Sequence, residues 1–379
     1  MKILVVMKRF GANKDMPVQD FGRQIRLFEN LAKTHQIDFL CPDYTKKESR
    51  TIKRNGLRFF IVPLSFFSVF SFLGETKKLI RKEKYDIVVA TSDPLIGILG
   101  NIISKKFNMP LIYDLQDNFE TYGSYKFPFV PYFHKKAVEE ADIVLAVSES
   151  LKGYVSKTRE NLRFSGHQKS KGFFSARKKP TYVVQNGINL DLFRPIDREI
   201  ARKRLKLPLK SKIIAYIGHL EKSKGANVLL DAFSKVRQDF PDTYLLLSGE
   251  IEKGINIRQK NIIFRAFPKR EDVVLGINSS DVAVVPNTAN EFTKYCFPYK
   301  LVEYMACNAH IVATDIGDVS LMLKKYKGSL AAPDDSEELS EKIMLKLEDS
   351  KNPDYRKDIK EFDWKVLSKK LNIILSNLK

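Results

Sequence analysis

Cysteine is scarce in this chain: three residues, Cys41, Cys296 and Cys307, occur in 379. An odd count without paired metal-ligand spacing excludes a disulfide framework and a zinc knuckle, and it fits a reducing compartment. Long apolar runs are missing as well. The most apolar stretch, residues 61–74 (IVPLSFFSVFSFLG), falls short of the roughly 20 residues a spanning helix needs and carries Pro63, so no transmembrane segment is expected. Only five apolar residues separate Met1-Lys2 from Lys8-Arg9, too few for a signal-peptide core, and a cytoplasmic protein is expected. No GxSxG or GxxxxGK[ST] pattern occurs, which disfavours serine hydrolases and P-loop NTPases, and the loop after the first apolar run lacks GxGxxG spacing. There is no short internal repeat, which removes solenoids. His35, His134, His167 and His310 stand at no metal-ligand spacing, and no metal site is expected.

What is present is positive charge. Lys and Arg number 65 against 45 Asp and Glu, a formal charge of +20. Residues 1–190 hold 32 of the basic and 18 of the acidic side chains, so +14 of the excess belongs to the first half. Such an excess calls for an anionic partner: a nucleic acid, an acidic lipid surface or a phosphorylated small molecule. No nucleic-acid-binding module is recognisable, and no nucleic-acid partner is expected. Residues 152–180 contain nine basic and one acidic side chain with almost no periodicity. This segment is expected to be a mobile basic loop, or an arm that touches a membrane or an anionic acceptor.

The length fits two domains. Short apolar runs without alternation recur at residues 3–7, 37–41, 59–62, 87–90, 111–113 and 143–147, and a second series occupies 213–217, 244–247, 262–264, 282–285 and 311–313. Runs of this kind suit strands buried on both faces of a parallel sheet, and amphipathic stretches such as 226–236 and 273–278 lie between them. Two α/β units joined by a hinge near residues 186–195 are expected.

Three constellations could carry chemistry. The loop 218–225 (GHLEKSKG) follows the strand at 213–217 and precedes a helix starting near Asn227. Glycine at both ends lets backbone approach an anion, and Lys224 can reach a phosphate held there; the alternative is a lysine simply in solvent. The segment 287–307 follows the strand at 282–285, with Pro298 at an expected first helical position, so N–H groups around Phe297 to Lys300 would face an anion. Glu303, a turn further on, could accept two hydrogen bonds from ribose hydroxyls, or merely complement the helix dipole. The third is residues 114–118 (DLQDN), where open parallel sheets place ligands. A carboxylate such as Asp117 could orient or deprotonate a substrate hydroxyl, or Asp117 or Asn118 could only cap the next helix. Gly11 and Gly22-Arg23 bracket a long loop that could cover a ligand.

Taken in order, these segments resemble the GT-B glycosyltransferases, specifically the retaining family 4, over nearly the whole chain. The resemblance is carried by residues 183–189 (VVQNGIN) with Phe193-Arg194-Pro195, by 216–219 with Lys224-Gly225 and 229–233 (LLDAF), by Val284-Val285-Pro286, 303–306 (EYMA) and 311–317 (IVATDIG), and by Phe362-Asp363-Trp364. It implies an α/β GT-B fold: two Rossmann-like domains facing each other across a cleft. Residues 1–185 would form the acceptor-side domain, 186–355 the donor domain, and 356–379 a helix crossing back to the first. It also implies a metal-independent hexosyltransferase without cofactor, using a UDP- or GDP-linked sugar. The basic first half, with the aromatic-rich stretches 66–72 and 122–133, suggests a glycan or polyprenyl-linked acceptor met as a peripheral protein at an anionic membrane. By the resemblance Lys224 would bind the donor diphosphate and act in catalysis, while Asp117 is the acceptor-side catalytic candidate on the reading of residues 114–118 alone. Gly22, Gly218, His219, Phe297, Pro298, Tyr299, Lys300 and Glu303 would complete the donor site.

Three positions depart from the family pattern. His219 stands where arginine is usual, Tyr295 stands eight residues before Glu303 where a second glutamate is usual, and Gln116 and Asp117 occupy a region where many members carry histidine. These departures leave open a catalytically inert scaffold that binds a sugar.

Overall fold

The unalternated apolar runs become parallel strands buried on both faces. The computed structural model describes residues 1–11, 14–45, 48–65, 68–164, 179–351 and 354–378. The chain divides into two compact units, Met1–Gly187 with Trp364–Lys379, and Ile188–Asp363.

The first unit runs β1 (Lys2–Val6), α1 (Arg23–Glu29), β2 (Gln36–Asp43), β3 (Arg50–Arg54), β4 (Leu57–Pro63), α2 (Val69–Glu83) and β5 (Ile87–Ser92). It continues through α3 (Pro94–Phe107), β6 (Leu111–Leu115), α4 (Val130–Glu140), β7 (Ile143–Ala146), α5 (Glu149–Phe164) and β8 (Thr181–Val183). The strand order is β8-β7-β6-β5-β1-β2-β4-β3, parallel except for β3. The reversal of order beside β1 is the switch point at which open α/β sheets hold ligands. The core on one face joins Ile3, Val5, Phe28, Phe39 and Phe59 with Leu367, Leu371 and Leu375 of the terminal helix, and Ser368 Oγ there donates to Leu27 O at 2.8 Å. That burial is why residues 364–379 fold with the first unit.

The second unit runs α6 (Arg198–Leu205), β9 (Lys212–Ile217), α7 (Ala226–Asp239), β10 (Thr243–Ser248), β11 (Ile262–Phe264), α8 (Arg270–Asn278) and β12 (Val282–Val285). After these come α9 (Glu291–Tyr295), α10 (Tyr299–Ala306), β13 (Ile311–Thr314), α11 (Gly317–Leu323), β14 (Leu330–Ala331) and α12 (Ser336–Glu348). Its parallel sheet has the order β11-β10-β9-β12-β13-β14, with the switch between β9 and β12. Leu229, Phe233 and Val236 of α7 pack with Leu339 and Ile343 of α12 over that sheet.

Several expectations need correction. The units part at 187/188 and 363/364 rather than at 185/186 and 355/356. Ile188 N–H donates to Phe362 O at 2.8 Å, which keeps residues 356–363 with the second unit. Residues 152–164 are helical rather than loop, and one of their basic side chains is a structural clamp: the buried Arg159 guanidinium donates to the carbonyls of Val138 and Ala141. Residues 165–178 of the expected loop lie outside the described residues. The basic strand β3 was not anticipated, yet Asn55 (φ 50°) and Gly56 (φ 77°) supply the two positive φ angles of a tight hairpin turn.

Candidate functional site

In the second unit the loop after β9 is gripped from two sides. Gly218 (φ 145°) donates to Ser248 O at 2.8 Å, and a side chain there would meet Lys300 Cε at 2.2 Å. On the far side Thr288 Oγ1 and Asn290 Nδ2 both donate to Ser223 O, at 2.7 and 2.9 Å. Gly225 (φ 76°) lies so close to Pro286 O that a Cβ would stand 1.7 Å away. Gly225 is therefore demanded by φ and by close backbone approach together, and Gly218 by its φ, since the atoms it would meet belong to the flexible Lys300 side chain. The helix α7 begins at Ala226 with Gly225 as its N-cap, one residue before the expected start.

Within this loop Glu221 gathers the cations. Its Oε1 accepts from Lys224 Nζ at 2.7 Å, and His219 Nδ1 lies 3.5 Å away. Burial opposes ionisation of Glu221, but the Lys224 hydrogen bond and the charges of Lys224, His219 and Lys300 outweigh it and hold the carboxyl below its ordinary value. His219 Nε2 faces Glu250 at 3.6 Å, so the histidine stands between two carboxylates.

The helix α10 is seated against the same loop. Tyr304 Oη accepts from Ile217 N–H at 3.0 Å, tying the helix to the end of β9. Pro298 is the N-cap rather than the first helical residue, and Tyr299 N–H donates to Phe297 O at 2.9 Å, so one of the expected free donors is already used. Phe297 and Pro298 are buried, whereas Tyr299 is exposed. The Lys300 ammonium lies 4.9 Å from the centre of the Tyr216 ring. Burial lowers its pKa against the opposing charges of Glu303, Cys296 and Glu221. Burial likewise raises the Glu303 carboxyl, against the pull of Arg270 and Lys300. Arg270, at the start of α8, pairs with Glu303 at 2.9 Å and stacks over Phe193 at 4.7 Å.

The structure thus brings Gly218, His219, Lys224, Phe297, Pro298, Tyr299, Lys300 and Glu303 together at the carboxyl ends of β9 and β12. Glu221 and Arg270 complete the cluster and were not singled out from sequence. Glu221 stood inside the glycine-bounded loop, but its bond to Lys224 depends on a single 3₁₀ turn at Lys222–Lys224 that spacing does not reveal. Tyr295 closes the short helix α9, and Glu291 at the other end of that helix faces Lys294 at 3.7 Å.

Gly22 and Asp117 belong to the first unit. Gly22 (φ 116°) is the N-cap of α1, directly before the buried Arg23. The Arg23 guanidinium pairs with Asp114 at 2.9 Å and donates to Val184 O at 2.7 Å and to Gln185 O. Asp114 also accepts from Thr91 Oγ1 at 2.9 Å and from Gln116 Nε2 at 3.2 Å, so this carboxylate is a structural anchor. Asp117, half-buried, accepts from Tyr122 Oη at 2.7 Å and from Asn118 N–H at 2.9 Å. Asn118 is the residue that caps the next turn, accepting from Glu120 N–H at 3.2 Å.

Beside Asp117, a cavity is lined in part by Asn118, Phe119, Tyr125 and His134. His134 bridges two phenols, Tyr125 Oη at 2.6 Å and Tyr113 Oη at 2.9 Å, and burial pushes its pKa down to about 4. A histidine neutral when folded but basic when unfolded contributes stability that is present above pH about 6.5 and is lost as pH falls toward the folded value. Denaturant titrations should therefore show a loss of about 3 kcal/mol between pH 6.5 and 4. His134→Gln should remove most of that slope.

Among the described residues no group of three His, Cys, Asp or Glu is arranged to hold a metal ion.

A sequence model described as Glycosyl transferases group 1 matches residues 197–363, and one described as Glycosyl transferase 4-like domain matches residues 25–159. Among curated relatives, TuaC of Bacillus subtilis (strain 168), named for teichuronic acid biosynthesis, is 28% identical over 211 residues, 55% of this chain and 48% of that protein. The capsular polysaccharide biosynthesis glycosyltransferase CapM of Staphylococcus aureus is 26% identical over 294 residues, 76% of this chain and 73% of that protein. The chain therefore spans about half the length of the first relative and about three quarters of the second. Anabaena HepE in complex with UDP aligns over 100% of both chains with TM-score 0.73 at 16% identity. A glycosyltransferase from Rickettsia africae aligns over 100% of this chain and 98% of its own with TM-score 0.70 at 18% identity. At such identities the likeness is one of fold. Two matched segments that take in most of the chain, laid on two Rossmann-like α/β units of the GT-B fold, place it: the chain belongs to the glycosyl transferases of group 1.

Proposed function

We propose that this chain is a retaining, metal-independent hexosyltransferase. It would move a sugar from a UDP- or GDP-linked donor to a hydroxyl of a glycan or lipid-linked acceptor in cell-surface polysaccharide or glycolipid synthesis, as a peripheral protein at the inner face of the membrane. The observation that carries this is the convergence, in the second unit, of Lys224, Lys300 and Glu303 on the glycine-gripped loop after β9. HepE, of the same fold, is described in complex with UDP and with UDP-glucose, and the names of TuaC and CapM refer to polysaccharides.

In this proposal the donor diphosphate takes the place of Glu221 as the partner of Lys224, and the start of α10 with Lys300 holds the phosphates. Glu303 leaves Arg270 and accepts from two ribose hydroxyls. The acceptor hydroxyl attacks the anomeric carbon on the face from which the nucleoside diphosphate departs, with Asp117 on the acceptor side orienting that hydroxyl. Lys224 and the helix N-terminus stabilise the charge that grows on the leaving phosphate. A sugar-binding scaffold without transfer is the second reading, favoured by Tyr295 and His219 at the two departures.

A melting-temperature panel of UDP, GDP, ADP and CMP with their sugar conjugates tests donor binding, because a ligand of the folded state stabilises it by mass action. One nucleotide should raise the transition, and no response from any would remove the proposal. The raised Glu303 carboxyl adds a signature. Affinity should rise with pH through a value above the ordinary glutamate range near about 4.3, and Glu303→Gln should bind weakly with no such step.

A further inference from the structure

The first unit carries an exposed aromatic rim that the fold does not use. The helices α3 and α4 follow successive strands of one parallel sheet and, by right-handed crossover, cover the same face. Two ties set them side by side and parallel. Near their starts, Gly97 abuts the Tyr113 hydroxyl to which His134 is bonded; near their ends, Asn101 and Lys105 both reach Glu140, at 2.8 and 2.6 Å. Their first turns therefore emerge together at the carboxyl edge of the sheet.

At that edge the apolar side chains point to solvent. Phe127 is 65% exposed, Phe129 74%, Tyr132 53%, Phe133 47%, and Leu95 at the start of α3 45%. Single exposed apolar residues are ordinary, but a run of this density marks an interaction surface. Phe129 adds a second sign: it sits at φ 70°, a left-handed conformation that costs a bulky residue about 1–2 kcal/mol, and its exposed ring gains no core contact in return. From Tyr122 to Val138 there are three lysines, Lys126, Lys135 and Lys136, and no carboxylate; Lys135 pairs with Glu120 at 3.1 Å, so Lys126 and Lys136 carry the charge offered to a partner. The Lys136 ammonium lies 5.9 Å from the centre of the Tyr132 ring.

We infer that this rim docks on an anionic lipid surface, with the aromatic rings entering the headgroup boundary and the lysines meeting lipid phosphates. Rings at the interface and flanking ammonium groups are the composition that binds such a surface without spanning it. Among the described residues no helix is long and apolar enough to cross a membrane. Lysines would be out of place in the buried core of a protein interface, from which they are depleted. The inference rests on the proposal that the acceptor is presented at a membrane, and it names the surface that meets it.

The test is sedimentation with phosphatidylcholine vesicles, with and without phosphatidylglycerol. The wild-type chain should partition onto the anionic vesicles and only weakly onto the neutral ones. Phe127→Ser with Tyr132→Ser and Phe133→Ser should lower the partition coefficient roughly ten-fold or more, and Lys126→Glu with Lys136→Glu should abolish the preference for anionic lipid. Ile200→Ser with Leu345→Ser, two exposed apolar residues of the second unit, should leave partition unchanged. Independently of folding in the triple variant, Phe129→Trp should show a blue-shifted emission with anionic vesicles, read as the difference from the wild type with its single tryptophan, Trp364. Unchanged partition of the triple variant, or emission from Phe129→Trp that ignores vesicles, overturns the inference. A failed nucleotide response with intact vesicle binding would instead overturn the proposed activity and leave this surface standing.

Discussion

Replacing Lys224 by alanine should lower glycosyl transfer by about 10²–10³-fold, the loss expected when one preorganised donor to a developing oxyanion is removed. The same change should barely touch stability. The Lys224 side chain is 22% exposed and its ion pair with Glu221 lies at a partly solvated site. Such pairs contribute about 0–1 kcal/mol, so the melting temperature should move by no more than about 2–4 °C. The companion variant Glu221→Gln separates roles. If Lys224 serves only to neutralise Glu221, both variants behave alike. If Lys224 serves the leaving group, Glu221→Gln keeps most of the transfer rate while Lys224→Ala does not.

Arg23→Met should destabilise the first unit by about 3–5 kcal/mol, because it leaves Asp114 buried without its counter-charge. Asp114 is fully buried, and its remaining partners, Thr91 and Gln116, are neutral. The guanidinium also joins α1 to the backbone at residues 184–185, so its loss loosens three segments at once. Urea titration of the first unit's transition measures the effect. The double variant Arg23→Met with Asp114→Leu should recover much of the loss, since removing both charges removes the unpaired one. A single variant within about 1 kcal/mol of wild type would contradict the assignment of Arg23 as an anchor.

Much of this architecture was legible because parallel strands buried on both faces write themselves as unbroken apolar runs. Each run expected from sequence became a strand, with no end shifted by more than two residues. What escaped lacked that signature. The strand β3 is basic and half-exposed and owes its conformation to pairing with β4, although the Asn55-Gly56 turn could have disclosed it. The helix at residues 149–164 was hidden because its charges obscured the apolar spacing; Leu151 and Val155, one turn apart, are buried.

The candidate site was legible as loops at strand ends, but its electrostatics was not. That Arg270 would pair with Glu303 depends on side chains from separate elements meeting in space, and that Glu221 would hold Lys224 depends on the 3₁₀ turn that brings them together. Likewise Asp114, read from sequence as one of two carboxylates in a cluster where a ligand could sit, is claimed by Arg23 from 91 residues away. Sequence spacing carries no information about a partner from another element, whereas the glycines at 218 and 225 announced a positive φ at both positions and a close backbone approach at 225.

The most direct test of glycosyl transfer is to incubate the purified chain with the nucleotide sugar that raises its melting temperature and an extracted lipid-linked glycan fraction, and to follow the sugar into product by mass spectrometry and anomeric NMR. The expected result is nucleoside diphosphate released in step with an extended glycan whose new linkage keeps the donor's anomeric configuration, lost in Lys224→Ala and in Glu303→Ala. Nucleotide binding without any transferred sugar, or transfer indifferent to both substitutions, would contradict it.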